Sequence, residues 1–267
     1  MRSRYVLIIK YLNEIELREQ ADKSTNKMLD LWHQLCLKEI GKSVEVLVFN
    51  RRDSPDLMNI KGAVNTNAVI SWKGKASLGL FLDNTSRLNY IIVTHELGHW
   101  ILKLQGLKGV RTDEESGEAL YEGGTEMLLN NLCSHPALYK LQRSMGHEPQ
   151  SEIDRMANHN IVGVSKIAEK DDPLRQVKDA LLFADDLINC SEDVRKGLQR
   201  IISKRWPKTE KIVNKILEIK GTKDLSLIEN ANMLPQEIIN RLSLSGNWSI
   251  SDSIQFLKDF VLKLNSK

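Results

Sequence analysis

Cysteine is scarce in this chain of 267 residues. Its three cysteines, Cys36, Cys133 and Cys190, lie far apart in the sequence, and none belongs to a CxxC pair. This pattern excludes a disulfide framework and a metal site built from paired thiolates, and it indicates buried thiols in a reducing compartment. We therefore expect a cytoplasmic protein.

Long apolar runs and a surplus of one charge are also missing. No stretch of about 18 residues is apolar throughout, and the apolar run that follows Met1 is too short for a signal peptide. The 38 Lys and Arg residues nearly balance the 35 Asp and Glu residues. A basic cluster from Arg195 to Lys208 is flanked by acidic residues, which is typical of a solvated helix face. We expect neither a membrane nor a nucleic-acid partner, and the sequence specifies no oligomeric state.

What remains is a composition that suits a folded core, with 41% hydrophobic residues. Apolar residues at spacings of three and four predict one or two helices over residues 14–40. The β-branched run Val44–Phe49 predicts a strand, and the runs Ala68–Trp72 and Leu78–Leu82 predict a hairpin. Helical spacing then resumes after Asp83, so a long helix follows directly on a strand.

The rest of the chain is dominated by helical patterns. We predict a polar connector up to Ser116, and then a helix from Glu118 to about Leu132 that His135–Pro136 ends. Beyond Pro149 we predict helices only, over residues 153–168, 172–189, 192–203, 208–219, 235–242 and 251–264. The expected fold is α+β, with a small, mostly antiparallel sheet on the long helix. We assign residues 1–150 to the core domain and residues 151–267 to a helical lobe.

The long helix contains the strongest chemical signal, the sequence His95-Glu96-Leu97-Gly98-His99. Two histidines four residues apart project from one helix face, so both imidazoles can reach a single Zn²⁺, while Glu96 can reach water at the metal. The flanking residues are apolar, and such flanks favour a metal site over two solvated surface histidines.

A catalytic zinc site needs a third protein ligand. The positions that carry Gly and His in the extended three-histidine motif hold Leu102 and Gln105 here, which excludes that arrangement. The candidates for the third ligand are three carboxylates at helical spacing, Glu118, Glu122 and Glu126. A solvated acidic helix face has the same pattern.

HELGH followed after 22 intervening residues by Glu122-Gly123-Gly124-Thr125-Glu126 resembles the gluzincin metallopeptidases. The chain is also similar to the minimal intracellular gluzincins of the ImmA/IrrE type, which cleave regulatory proteins. The resemblance implies a zincin-like fold, with His95, His99 and Glu122 as zinc ligands and Glu96 as the general base. It implies that Glu126 holds a ligand histidine by a hydrogen bond, and that the strand Leu78–Leu82 presents an edge to an extended peptide.

The resulting functional prediction is a zinc-dependent peptidase that acts on a protein or peptide substrate. A zinc ion activates water and polarises the carbonyl, and Glu96 transfers the proton to the leaving amine. An oxyanion donor is also needed, and we favour His147 or His159, each of which could instead be a surface or packed histidine. The alternative is a catalytically silent zincin-like scaffold that binds partners or regulates through its helical C-terminal half. The intact Glu96 argues against that alternative.

Overall fold

The protein has a mixed α+β fold in a computed structural model that describes residues 11–50, 67–82, 88–112, 119–244, 246–251, 254–255, 257–259 and 261. Contacts divide the chain into two compact units. The first comprises Met1–Leu104 and Ile254–Lys267, and the second comprises Gln105–Ser253. These bounds differ from the division predicted at residue 150.

The first unit contains two helices over residues 14–40, as the spacing predicts. Helix α1 spans Glu14–Gln20 and helix α2 spans Lys23–Ile40. Side chains define the start of each helix: Asn13 and Glu16 form a reciprocal capping box at α1, and Asp22 accepts a hydrogen bond from the Thr25 amide at α2. Local capping chemistry therefore divides one apolar pattern into two helices.

A four-stranded mixed sheet follows, built from β1 (Tyr11–Leu12), β2 (Glu45–Asn50), β3 (Asn67–Trp72) and β4 (Lys75–Leu82). The strand order is β1-β2-β4-β3, with β2 and β4 parallel and the other two pairs antiparallel. The predicted hairpin is confirmed. Its two-residue turn is Lys73-Gly74, and both residues have positive φ, as this tight reversal requires.

The expectation that Leu78–Leu82 forms an edge is wrong. Strand β4 pairs with β2 on one side and with β3 on the other, so its backbone groups are already used within the sheet. Its residues from Ser77 to Leu82 are buried, as is usual for a central strand. Among the described strands, β1 and β3 lie at the two ends of this sheet.

Helix α3, which spans Tyr90–Leu104, packs on α2 and on β4. It contains the HELGH sequence and is buried over most of its surface, with Val93, Leu97 and Ile101 fully enclosed. The helix is followed by Gly106 at φ +101°, a conformation that glycine adopts without steric cost.

One carboxylate joins three elements of the first unit. The side chain of Glu14 in α1 accepts hydrogen bonds from the Arg18 guanidinium (2.8 Å) and from the Val46 amide in β2 (3.0 Å), and it contacts His33 Nε2 in α2 (2.5 Å). Burial raises the pKa of Glu14, but these hydrogen bonds outweigh it, and the net effect is a lowered pKa.

The second unit is mostly helical. Its helices are α4 (Ala119–Met145), α5 (Gln150–Lys166), α6 (Pro173–Asn189), α7 (Glu192–Arg205), α8 (Pro207–Lys220) and α9 (Ile228–Leu242). Helix α6 packs on α4 and α8, and its buried face contributes Leu181, Phe183 and Ala184 to a large apolar core. Of the helix predicted over residues 251–264, Ser251 instead ends a strand, whereas residues 254–255, 257–259 and 261, which belong to the first unit, are helical.

Two proline predictions are wrong. Helix α4 continues through Pro136, and α9 begins at Ile228 and contains Pro235 in its interior. A proline inside a helix costs about 3 kcal/mol because it removes a hydrogen bond and displaces the preceding turn. Around Pro136, however, the side chains of Leu132, Ala137 and Leu138 are buried, and their packing offsets that cost.

A small sheet was not predicted, because the sequence indicated a connector before Ser116 and only helices after Pro149. Strand β5 (Gly109–Thr112) pairs antiparallel with β6 (Trp248–Ser251). The Asn130 side chain in α4 accepts a hydrogen bond from the Val110 amide (2.8 Å) and donates one to the Val110 carbonyl (3.1 Å). This double contact fixes β5 against α4.

The surface charges of α7 and α8 agree with a solvated face. Glu192 lies within ion-pair distance of Arg195 and Lys196, and Lys208 pairs with Asp171. Exposed pairs of this kind stabilise a protein by less than about 1 kcal/mol. Within the described residues, no helix is both long and apolar enough to cross a membrane.

Candidate metal centre

Helix α3 holds the two motif histidines at the distance that one metal ion requires. The Nε2 atoms of His95 and His99 lie 3.2 Å apart, and the two rings are nearly perpendicular, at 86°. In a tetrahedral zinc site with Zn–N distances of 2.0–2.1 Å, two ligand nitrogens are about 3.3 to 3.4 Å apart. The observed separation agrees with this value, so the pair fits a single ion.

The second unit contains a further histidine, His135, on α4. His95 and His99 are half-buried, whereas His135 in α4 is buried. Neutral imidazole is a common zinc ligand, and three protein ligands leave one position open for water or substrate.

Glu96 lies next to His95 in α3 and is only 8% exposed. A carboxylate is costly to remove from water without polar neighbours. It follows His95 directly in the sequence, and its residue type and position suit a base that accepts a proton from water.

The sequence pattern gives His135 no role other than ending a helix together with Pro136. The residue follows His99 by 36 positions and belongs to no spacing motif. The available signal was indirect: a histidine among Leu132, Cys133, Ala137 and Leu138 is an unusual residue for a buried helix face.

Glu122 lies in the first turn of α4, and its side chain falls outside the described residues. Helix geometry nevertheless separates it from His135. Thirteen residues at 1.5 Å each place their Cα atoms about 20 Å apart along the axis. A Glu and a His that share one ion have Cα atoms at most about 14 Å apart, given side-chain lengths near 5 Å and metal bonds near 2 Å. The two residues therefore cannot bind the same ion, and the role of Glu122 as a zinc ligand stays a prediction.

The other predicted site residues are spread over the second unit. Glu126 lies in α4 and is half-buried. His147 is buried just after α4, where its amide donates to the Gln142 carbonyl (3.0 Å), and His159 is exposed on α5. Their proposed roles stay predictions.

The three cysteines are buried free thiols, as the sequence predicts. Burial raises the pKa of the Cys36 thiol to about 12 and that of the Cys190 thiol to about 11, and it raises the pKa of Cys133 as well. A thiol must lose its proton to bind a metal or to act as a nucleophile. These cysteines are therefore poorly suited to either task.

Around His135, a carboxylate occupies the other side of the ring. His135 Nδ1 lies 2.6 Å from Asp185 Oδ2 on α6, and the Tyr139 ring packs beside it with centroids 5.3 Å apart. Asp185 is held by the Asn189 side chain, which donates to Asp185 Oδ1 (2.8 Å).

Comparisons with family models, with curated proteins and with solved structures give no match for this chain. The resemblance to gluzincins rests on the HELGH and EGGTE residues themselves and stays a prediction.

Proposed function

We propose that this chain is a zinc-dependent peptidase in which His95 and His99 hold the metal and Glu96 is the general base. The observation that carries the proposal is the 3.2 Å separation of the two Nε2 atoms on α3. This distance agrees within about 0.2 Å with the separation of two ligand nitrogens in a tetrahedral zinc site.

Zinc at this position would lower the pKa of water and polarise a substrate carbonyl. The remaining steps belong to residues of the chain. The Glu96 carboxylate accepts a proton from the attacking water and then donates it to the leaving amine. Since Glu96 adjoins His95 and is largely buried, its carboxylate has few positions to adopt, which favours a defined proton path.

The third ligand in this proposal is Glu122, as the resemblance to gluzincins implies. The substrate class, a protein or peptide, and the cytoplasmic location remain part of the proposal. The three buried thiols agree with a reducing compartment.

The metal assay measures zinc per chain by mass spectrometry of the purified protein. We expect about one zinc per chain, strong loss in His95→Ala and Glu122→Ala, and little loss in Glu118→Ala. Equal loss in Glu122→Ala and Glu118→Ala would contradict the ligand assignment.

The activity assay compares newly formed protein N-termini in cells that express wild type or Glu96→Gln. We expect Glu96→Gln to retain zinc and to lose cleavage, and the control Glu229→Gln, at an exposed position of α9, to behave as wild type. Cleavage at the wild-type rate by Glu96→Gln would disprove the general-base role. Zinc binding with no cleavage by wild type would favour the scaffold alternative.

A further inference from the structure

We propose that Ser43, His33 and Glu14 form a second reactive site, at which the Ser43 hydroxyl attacks small esters that have a good leaving group. The three side chains belong to the first unit: Glu14 lies in α1, His33 in α2, and Ser43 in the segment between α2 and β2. The proposal goes beyond the metallopeptidase function and does not depend on it, because no residue of α3 takes part.

The His33 ring lies between a hydroxyl group and a carboxylate. Its Nδ1 atom is 2.6 Å from Ser43 Oγ, and its Nε2 atom is 2.5 Å from Glu14 Oε1. A serine, a histidine and a third group that orients the histidine, each within hydrogen-bond reach of the next, is the arrangement that activates a serine nucleophile. The ring has the opposite sense from serine proteases, in which Nδ1 faces the carboxylate, but either nitrogen of a neutral imidazole can accept a proton.

The carboxylate determines which ring nitrogen has the proton. Hydrogen bonds from Arg18 and Val46 keep the pKa of Glu14 below its ordinary value, against the effect of burial, so this side chain is ionised at neutral pH. An ionised carboxylate only accepts hydrogen bonds, and Nε2 of a neutral His33 ring is therefore the protonated nitrogen. The Nδ1 atom then has the lone pair, and the Ser43 hydroxyl donates to it.

Access to solvent increases from the carboxylate to the hydroxyl group. The Glu14 side chain is 12% exposed and the His33 side chain 22% exposed, whereas Ser43 is an exposed residue. Lys42 is exposed as well, and within the described part of the chain the backbone amides of Lys42 and Ser43 have no hydrogen-bond partner. Free amides next to a nucleophile can donate to the oxyanion that forms on an ester. The nucleophile is thus open to a small molecule, while the group that orients its base is shielded.

The reaction is acyl transfer to Ser43. The Oγ atom forms a bond to the ester carbonyl carbon while its proton passes to His33 Nδ1. The carbon–oxygen bond to the alcohol then breaks, and the proton moves from His33 to the leaving alcohol. Water releases the acid from the acylated serine by the same route. Glu14 acts through His33 and is a positioning residue. Esters with a good leaving group are the expected substrates, because their alcohol departs with little assistance.

The first experiment treats the full chain with an alkyl fluorophosphonate, whose phosphorus takes the place of the carbonyl carbon. The Oγ–P bond forms, the P–F bond breaks, and fluoride leaves with the serine proton. We expect one adduct per chain, located on Ser43 by peptide mass spectrometry, and no adduct in Ser43→Ala. Ser71→Ala, at an exposed position of β3, is the matched control and should react at the wild-type rate. An unlabelled wild type, or equal labelling of wild type and Ser43→Ala, would overturn the proposal.

A second experiment tests the base. His33→Gln keeps a polar side chain at this partly exposed position, and we expect it to slow labelling by about 100-fold or more, as is typical when a general base is lost. Labelling of His33→Gln at the wild-type rate, with helical circular dichroism unchanged, would show that the three side chains form only a structural hydrogen-bond chain.

The positioning role of Glu14 is tested with Glu14→Gln and hydrolysis of p-nitrophenyl acetate. A carboxamide can donate to Nε2, which places the ring proton on Nδ1 and removes the acceptor of the Ser43 proton. We expect kcat to fall by at least about tenfold with KM little changed. Arg18→Gln removes another partner of the same carboxylate and leaves the ring contact, so it should change kcat by less than about threefold. Equal loss in both variants would show that the effect is structural and would reject the positioning role.

Removal of metal separates this proposal from the metallopeptidase function. We expect protein treated with a strong chelator, and the variant Glu96→Gln, to be labelled at Ser43 at the wild-type rate. Loss of labelling in both would show that the reactivity belongs to the HELGH site and would overturn the proposal. Labelling of Ser43 in a protein that binds no zinc would support the proposal and leave only the metallopeptidase function rejected.

Discussion

The buried carboxylate of Asp186 makes the stability of the helical unit depend on pH in a direction that can be measured. Burial raises the pKa of Asp186 from its ordinary value of 3.8 to about 7, and the hydrogen bond from Asn160 only partly opposes this. A pKa difference of about three, at about 1.4 kcal/mol for each pKa unit, corresponds to about 4 kcal/mol.

The sign follows from proton binding. Between about pH 4 and pH 7 the folded state retains a proton on Asp186 that the unfolded chain has lost, so stability falls as the pH rises through this window. Below pH 4 the side chain is neutral in both states and has no such effect. Above pH 7 the full cost of the buried charge is present.

Replacing Asp186 by Asn removes this charge and keeps the shape of the side chain. We expect the variant and wild type to be about equally stable at pH 4, and the variant to be more stable by about 1 to 4 kcal/mol at pH 8. The assay is urea unfolding at several pH values, followed by helical circular dichroism. A stability difference that does not grow between pH 4 and pH 8 would refute the reasoning.

Asp154→Asn is the control of opposite sign. Burial pushes the pKa of Asp154 upward, but the hydrogen bonds from Ser191 and Gln150 outweigh it and lower the pKa overall. A lowered pKa contributes stability at neutral pH that is lost in acid. We therefore expect Asp154→Asn to be less stable than wild type at pH 8 and to approach it at low pH.

Two further predictions concern backbone positions. A methyl group at Gly79 in β4 would lie 3.2 Å from the Ile70 and Phe81 side chains, so Gly79→Ala should destabilise the protein by about 1 to 3 kcal/mol in urea unfolding. In the control, Gly124→Ala in α4, the added methyl group meets only the flexible end of Lys178, and stability should change by less than about 1 kcal/mol. Equal effects of the two would contradict the packing argument. Pro136→Ala restores a helical amide in α4 and should stabilise the chain by about 1 to 3 kcal/mol, and a lower thermal midpoint would show that the proline is favourable there.

Local signals in the sequence were sufficient for much of the fold. The turn residues Lys73-Gly74 predicted the hairpin because their chemistry acts within a few residues. Features that depend on tertiary packing were predicted wrongly. The proline at position 136 is a helix breaker by local rules, and only the burial of residues on either side of it explains why α4 continues. Strand β6 was missed because its apolar and polar residues alternate over only four positions.

The same contrast between local signals and signals that depend on packing applies to the candidate site. The spacing of His95, Glu96 and His99 follows from the helical repeat alone, and it predicted the pair on α3. His135 and its partner Asp185 are 50 positions apart, and no periodicity connects them. Such contacts depend on how α4 and α6 pack, which a single sequence does not encode in any local pattern.

The three contacts of Glu14 have a consequence for local motion in the first unit. Helix α1 has only seven residues, too few to persist by itself in water, so its order depends on the groups that attach it to its neighbours. When that one acidic side chain takes up a proton, its links to strand β2 and to the imidazole of α2 weaken together. Acid should therefore release this short segment by a partial opening, well before the sheet and the longer helices come apart.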